Sequence, residues 1–259
     1  MKKLLLVLVL LVGTLYAKKM EYQISLVGMN MDYKEYDRAG VILDSEKSDL
    51  TDITGAEVAY RFYLNESSNL EAKFLGVSGE TVYKGSYIGS GLPYGSVVST
   101  TQDTVYDLSF AYNGINTLQN GFSLLGGVAV GYRYWQRELS ALQIEEYYWP
   151  SVRINAGARY QYADFSVAAK VEYQYGIDPQ MSATGFSKDF QLSAADITKI
   201  SVPLRYAIND KIDLSCTYIF EYQKIKESNV IYDSYGRGYL EPDSHAYNQY
   251  VKFGVIFKY

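Results

Sequence analysis

Histidine and cysteine each occur only once in the 259 residues, and these two scarcities exclude several kinds of site. The single Cys216 cannot form an internal disulfide, and its place in an apolar strand pattern predicts a small outward-facing residue. The single His245 excludes a multi-histidine metal site and any mechanism that needs two histidines. We therefore expect no metal site, no cofactor and no catalytic residues.

Long apolar runs are also scarce, and the one unbroken run is confined to residues 4–12. A membrane-spanning helix needs about 20 apolar residues, so this run is too short for one. It follows Lys2 and Lys3 and precedes the small residue Ala17. This arrangement predicts a signal peptide at residues 1–17 and a mature domain at residues 18–259.

Basic residues are fewer than acidic ones, with 24 Lys and Arg against 29 Asp and Glu. The net charge is −5, and it becomes −7 if the predicted signal peptide is removed with its two lysines. A nucleic-acid partner requires clustered basic residues, so we expect none.

The chain is rich in alternating apolar and polar residues, which is the period of a β-strand. About ten strands are predicted, and the connections between them alternate between short and long. The predicted strands cover residues 21–36, 54–64, 70–79, 104–113, 122–135, 148–161, 165–175, 197–207, 212–226 and 247–259.

Tyrosine is abundant, with 28 residues, and aromatic residues fall near both ends of the apolar strand faces. Two aromatic girdles around an aliphatic band are typical of a membrane slab. The pattern predicts an all-β, antiparallel, up-and-down transmembrane β-barrel. The alternative is a soluble barrel or sandwich, in which the apolar faces form a core. The membrane prediction requires one set of residues to face lipid, namely Val128, Val202, Phe220, Val251, Phe253 and Val255.

The opposite strand faces carry charges of both signs, and in a barrel these would point into the lumen. Ten strands enclose a narrow interior, so we expect paired charges to plug it. The predicted lumen charge network consists of Glu57, Arg61, Glu71, Lys73, Asp107, Arg133, Arg153, Arg159, Lys170, Glu172, Lys199, Arg205, Asp213, Glu221 and Lys252.

Three cross-strand ion pairs follow from the favoured hairpin registers, because opposite charges stabilise directly facing positions. Aligning Phe62 with Leu70 pairs Arg61 with Glu71. Aligning Tyr160 with Phe165 pairs Arg153 with Glu172, and aligning Tyr206 with Ile212 pairs Arg205 with Asp213.

An acid, a hydroxyl and an imidazole occur together only at Asp243, Ser244 and His245. Adjacent strand residues point to opposite faces, so Ser244 and His245 are poorly placed to form a catalytic pair. Omptin proteases and lipid A deacylases are outer-membrane barrels, but neither family's local motif is recognisable here.

The last strand ends in an alternating apolar series with a terminal aromatic, formed by Val251, Phe253, Val255, Phe257 and Tyr259. This series resembles the C-terminal recognition signal of bacterial outer-membrane barrels. The whole mature chain resembles small outer-membrane barrels, including opacity-type adhesins. The resemblance implies an outer-membrane location, contact with lipid or lipopolysaccharide, and recognition of the last strand by the barrel-assembly machinery.

The leading functional prediction is a non-enzymatic surface protein that binds an extracellular ligand through its loops or supports envelope integrity. The alternatives are a narrow porin-like channel and an outer-membrane hydrolase, either an omptin-like protease or a lipid A-modifying enzyme. We expect the loops at residues 80–103 and 176–196 to be reachable from outside the cell, and the turn at 162–164 to be hidden.

Overall fold

The computed structural model describes residues 19–86, 93–233 and 235–259, so the predicted signal peptide lies outside the described residues. The described chain forms fourteen strands, in the order β1 (Lys19–Tyr36), β2 (Ile42–Lys47), β3 (Ile53–Asn65), β4 (Ser68–Gly85), β5 (Val97–Thr117), β6 (Phe122–Ser140), β7 (Gln143–Tyr162), β8 (Phe165–Gly176), β9 (Gln180–Ala183), β10 (Phe190–Ala207), β11 (Ile212–Ser228), β12 (Ile231–Tyr232), β13 (Gly238–Tyr239) and β14 (Asp243–Lys258). None of the described residues belongs to a helix that is long and apolar enough to cross a membrane.

Ten of these strands are long, and they close into a barrel. Each long strand pairs antiparallel with the next long strand in the chain. The last strand, β14, pairs with β11 on one side and with β1 on the other, where Tyr22 lies opposite Phe257. The prediction of an antiparallel up-and-down barrel of about ten strands is therefore confirmed.

The two ends of the barrel differ in the length of their connections. At one end, here called the turn side, the long strands are joined by short turns, such as the two residues Ala163 and Asp164 between β7 and β8. Ala163 has a φ of 47°, the left-handed conformation that such a two-residue turn requires. At the other end, the loop side, three of the five connections are long and contain the short strands β2, β9, β12 and β13. The β4–β5 connection spans residues 86–96, whereas β6 and β7 are joined by Ala141 and Leu142 alone.

A band of apolar side chains, here called the belt, covers the outside of the barrel nearer the turn side. Its most exposed members include Leu26 at 72% and Phe253 at 62%. Val128 and Val202 are also exposed on the outside, whereas Lys252, Glu221 and Arg133 are buried inside. The set predicted to face lipid does not form a central core, so the soluble alternative is wrong. The belt residues are Leu26, Phe74, Leu108, Val130, Val152, Val171, Ile200, Leu214 and Phe253.

The long strands continue past the belt toward the loop side. There the chemical character of the two faces is exchanged, so that apolar residues face inward and polar residues face outward. On β1 the outward residues Ile24 and Leu26 are apolar, but further along Met29, Met31 and Tyr33 are the buried, inward residues. The loop-side part of the barrel thus has a polar exterior and an apolar interior, as soluble barrels do. This inversion explains why β7 and β10 begin several residues earlier than the sequence predicted.

Three layers fill the interior from the turn side to the loop side. The lumen network of charged residues lies inside the belt. Above it lies the apolar layer, whose members include Trp135, Trp149, Tyr147, Met29 and Met31. The rings of Trp135 and Tyr147 stack with their centroids 4.9 Å apart. Above the apolar layer, at the mouth of the barrel, carboxylates surround the buried Arg137.

Candidate functional site

The structure places all the predicted lumen residues on the inward face of the wall. Several of them line a polar cavity of about 260 Å³ toward the turn side, among them Arg61, Glu71, Lys170 and Arg205. The others approach one another through ion pairs at the middle of the barrel. The inward face therefore carries charges of both signs along the whole height of the belt.

The middle of the lumen network is built on two buried carboxylates. Asp107 accepts hydrogen bonds from Arg153 at 2.8 Å and from Arg133 at 3.4 Å. Glu221 accepts from Arg133 at 2.8 Å, and Lys199 approaches Glu221 to 3.0 Å. These five groups come from β5, β6, β7, β10 and β11, so they tie opposite walls of the barrel together.

Toward the turn side, the buried Glu21 lies between two arginines. Arg205 donates to it at 2.8 Å and Arg61 approaches it at 3.4 Å. Glu21 was not among the predicted lumen residues because it stands at the edge of the first predicted strand. The sequence nevertheless predicts its inward position, because Glu21, Gln23 and Ser25 are alternate residues of one strand and therefore lie on the same, buried face.

Two of the three predicted ion pairs are present. Arg61 lies opposite Glu71 in the β3–β4 register and donates a hydrogen bond to it, as the chosen alignment requires. Arg205 donates to Asp213, but diagonally, because Arg205 lies opposite Ser215 and Tyr206 lies opposite Leu214.

The third predicted pair, Arg153 with Glu172, is wrong. In the β7–β8 register Arg153 lies opposite Gln174, and Glu172 lies opposite Asn155. The hairpin closes two residues tighter than predicted, because Tyr162 rather than Tyr160 lies opposite Phe165. Arg153 instead reaches across to Asp107.

The cluster at the mouth was not predicted from the sequence. Arg137 is buried, and its guanidinium donates to Glu35 at 2.7 Å, Glu145 at 2.9 Å and Glu46 at 3.1 Å. Asp44 lies 3.6 Å from the same guanidinium. Arg137 and these four carboxylates are here called the Arg137 cluster.

Negative charge exceeds positive charge in this part of the barrel. The hydroxyl of Tyr147 bridges the Arg137 cluster to a fifth buried carboxylate, Glu241. Burial and repulsion by Glu35 raise the pKa of Asp44 and of Glu241 well above the ordinary carboxyl value. Burial also raises the pKa of Glu145. The cluster can therefore hold protons in addition to its single guanidinium.

Two carboxylate oxygens of the Arg137 cluster, Asp44 Oδ1 and Glu46 Oε2, are buried without a hydrogen-bond partner. For Asp44 the unpaired oxygen agrees with its raised pKa, since burial disfavours the charged carboxylate. Across residues 19–86, 93–233 and 235–259, no group of three acidic, histidine or cysteine side chains has the arrangement of a metal site.

The residues Asp243, Ser244 and His245 open β14 and do not converge. Ser244 is buried on the inward face, whereas His245 is outward, between the rings of Tyr36 and Tyr222. Asp243 forms a 2.6 Å ion pair with Lys226. No imidazole is therefore available to the carboxylates at the mouth, since His245 is the one histidine of the chain.

No protein-family model matches the chain, and no curated protein matches its sequence. Among solved structures, the outer membrane protease OmpT from Escherichia coli is similar, with a TM-score of 0.55 and 11% identity over 94% of this chain and 97% of that chain. OprG from Pseudomonas aeruginosa gives a TM-score of 0.39 at 11% identity, covering 94% of this chain and 97% of that one. The attachment invasion locus protein Ail of Yersinia pestis gives 0.33 at 10% identity, covering 92% and 98%.

At this level of identity the likeness to OmpT shows the fold alone. The chain has the architecture of the small outer-membrane β-barrels that its sequence resembles.

Proposed function

We propose that this protein is an integral outer-membrane barrel that displays its loop side on the cell surface and acts by binding rather than by catalysis. The observation that carries the proposal is the filled interior. The apolar layer and the Arg137 cluster close the barrel above the lumen network, and the belt surrounds its outside.

The outer-membrane location rests on the belt and on the outward face of β14. Leu26 and Phe253 are exposed on adjacent strands, and water would not favour such a band. In a bilayer the same band faces lipid, and closure of the sheet between β1 and β14 leaves no open edge of unpaired backbone groups. The outward residues Val251, Phe253, Val255 and Phe257 form the series that the barrel-assembly machinery would recognise.

The orientation rests on the two unequal ends. Outer-membrane barrels keep short turns in the periplasm and longer loops outside. The loop side also has polar outward residues beyond the belt, such as Asn30 and Asp32 on β1, which suit water and sugar rather than acyl chains. We therefore assign the loop side to the cell exterior.

The three layers of the interior support the proposal that the barrel does not conduct solutes. A pore requires a continuous polar path, but Trp135 and Trp149 are about 1% and 0% exposed in the middle of the interior. The lumen network below them is joined wall to wall by Arg133. The polar cavity on the turn side therefore ends beneath packed side chains.

The non-enzymatic role is supported by the outward position of His245. A hydrolase of the Ser–His or Asp–His kind needs its imidazole beside the nucleophile or the water that it activates. The carboxylates at the mouth contact a guanidinium and tyrosine hydroxyls instead.

Location and orientation are tested by cysteine labelling on intact cells. In a Cys216→Ser background, Leu142→Cys and Tyr235→Cys place a thiol on loops where these side chains are 85% and 83% exposed. Glu66→Cys is the matched control in the exposed turn between β3 and β4. We expect a membrane-impermeant maleimide to label the two loop variants on intact cells, and Glu66→Cys only after the outer membrane is permeabilised.

Labelling of Glu66→Cys on intact cells without labelling of the loops would reverse the orientation. Recovery of the protein in the soluble fraction would overturn the location. A further comparison separates binding from envelope integrity. If the loops bind a ligand, shortening the 232–238 segment abolishes surface binding while detergent resistance of the cells is unchanged.

A further inference from the structure

Basic residues are unevenly distributed over the outer wall beyond the belt. On β1, β14 and β11 the outward residues include Lys34, His245, Lys224 and Lys226, here called the basic row. The outward positions beyond the belt on the described strands β5 to β10 carry no lysine or arginine. Those positions present neutral or acidic side chains, such as Gln102, Glu138, Glu146 and Asp196.

The basic row is continuous across three neighbouring strands. In the strand registers, Lys34 lies opposite His245, and His245 lies opposite Lys224 on its other side. Lys34 and Lys224 thus flank the imidazole from both sides, and burial together with Lys224 lowers the pKa of His245. An anion over the row would meet two ammonium groups and the hydrogen-bonding imidazole between them. Acidic neighbours compensate the charge of the row only in part.

Two of the lysines have carboxylate partners. Lys34 lies 3.3 Å from Asp32, and Lys226 lies 2.6 Å from Asp243. No described carboxylate lies within salt-bridge distance of Lys224, although Asp196 faces it in the β10–β11 register and accepts instead from Tyr173 at 3.0 Å. Lys224, beside His245, is thus the ammonium group of the row that has no close carboxylate among the described residues.

Directly on the turn side of the basic row, the outer wall contains an apolar groove of about 320 Å³ lined by Thr198, Ile200, Phe220, Tyr222 and Tyr247. The rings of Tyr222 and Tyr247 are 5.0 Å apart and form its upper edge. Tyr222 stands two residues from Lys224, and Tyr247 stands two residues from His245. An apolar groove and a cationic row are therefore contiguous along the height of the wall.

We propose that this wall binds one phosphorylated glycolipid of the outer leaflet, with an acyl chain in the groove and a headgroup phosphate on Lys224, His245 and Lys34. The order of the two features matches that of the lipid, because phosphate lies directly outside the acyl chains at the membrane surface. The inference rests on the proposed function, since it requires the loop side to face outward.

The test uses the single histidine as a reporter. The untagged full-length protein in detergent micelles gives one imidazole resonance, which diphosphorylated hexa-acyl lipid A should shift saturably at constant pH. Each basic residue near an anionic lipid surface contributes about 1 kcal/mol, so Lys34→Gln with Lys224→Gln should weaken the apparent affinity about 30-fold. Lys19→Gln with Lys211→Gln is the matched control, with the same change of charge at the turn side, and should leave the affinity unchanged.

Three other probes distinguish the sources of binding. Dephosphorylated lipid A that binds equally well would show that the groove alone is responsible, and would overturn the role of the basic row. Inorganic phosphate that binds as tightly as lipid A would show a free-anion site without a lipid. Thr198→Trp, which fills the groove, should weaken lipid A but not inorganic phosphate. If lipid A does not bind, while cysteine labelling on cells gives the outcome expected under the proposed function, the lipid site is refuted and the proposed function is unaffected.

Discussion

Ser244 and His245 are neighbours in the chain but lie on opposite faces of the barrel wall. The Ser244 side chain is buried inside, whereas the His245 ring lies outside, 5.5 Å from the ring of Tyr36. The alternation of β14 forces this separation, and no local change of rotamer can bring the two groups together. The one hydroxyl–imidazole pair that neighbours in the sequence offer is therefore divided by the wall, and this separation supports the proposed non-enzymatic role.

Arg137 should be indispensable to the mouth of the barrel. Replacing it with methionine removes the one cation that contacts Glu35, Glu46 and Glu145. Removing one partner of a buried ion pair costs about 3–5 kcal/mol, so we expect a large fall in the urea midpoint of unfolding in detergent micelles. The control Arg237→Met, in an exposed loop pair with Asp233, should leave the midpoint unchanged. Equal midpoints for Arg137→Met and wild type would mean that the cluster carries no net stabilisation.

Stability should depend on pH through Glu241 and Asp44. Their pKa values are raised in the folded chain, so between the ordinary and the raised pKa the folded chain binds more protons than the unfolded chain. Stability is therefore complete below the ordinary carboxyl value and falls as the pH rises through the raised pKa. Thermal unfolding of Glu241→Gln and Asp44→Asn, measured across this window, should show a weaker pH dependence than wild type. A steeper dependence in either variant would contradict the assigned direction.

The apolar layer should contribute as a packed core. Trp135→Ala removes a side chain that is 1% exposed and stacks on Tyr147. Truncation of a buried tryptophan costs about 3–5 kcal/mol, which urea unfolding can measure. The outward Tyr162→Ala, on a side chain that is 70% exposed, is the matched control and should have a much smaller effect. Similar losses for both variants would mean that the interior is loosely packed.

Arg153 should be energetically coupled to Asp107 rather than to Glu172. Residues in one ion-pair network show coupling of about 0.5–3 kcal/mol in a double-mutant cycle, whereas pairs without shared contacts are additive within about 0.5 kcal/mol. We expect the cycle that combines a substitution of Arg153 with Asp107→Asn to give a coupling energy of about 0.5–3 kcal/mol, because the guanidinium and the carboxylate are 2.8 Å apart. Coupling to Glu172 that exceeds coupling to Asp107 would restore the register predicted from the sequence.

The sequence was sufficient to predict the barrel and its inward charges, because alternation over ten segments specifies which face each residue occupies. It was not sufficient for two hairpin registers, which depend on turn geometry. The β7–β8 turn is tightened by the left-handed Ala163. In the β10–β11 hairpin Tyr206 instead lies opposite Leu214 rather than Ile212, and the Asn209 side chain accepts from the backbone of Lys211 and Ile212 within the turn. Such turns shift the register by two residues without changing the apolar pattern.

The mouth of the barrel was missed for a different reason. The predicted strands end where the outward apolar series stops, yet the strands continue with the same in–out alternation and with apolar residues now on the inward face. Tyr147 and Trp149 are inward on β7, whereas the apolar residues of the same strand from Val152 onward are outward. Trp135 and Arg137 share the alternation of the inward Arg133, and Glu145 shares that of the inward Arg153, so extending β6 and β7 without a change of face places all three inside.

Single-channel recording in a planar bilayer tests the central claim, the closed interior, most directly. The wild-type barrel should insert without producing stable steps above ~0.1 nS, since ten strands enclose an interior that side chains fill. Insertion is verified by the heat-modifiable migration of the same sample in electrophoresis. Regular open steps of larger conductance from verified, inserted wild-type protein would contradict the closed barrel and favour a porin-like channel.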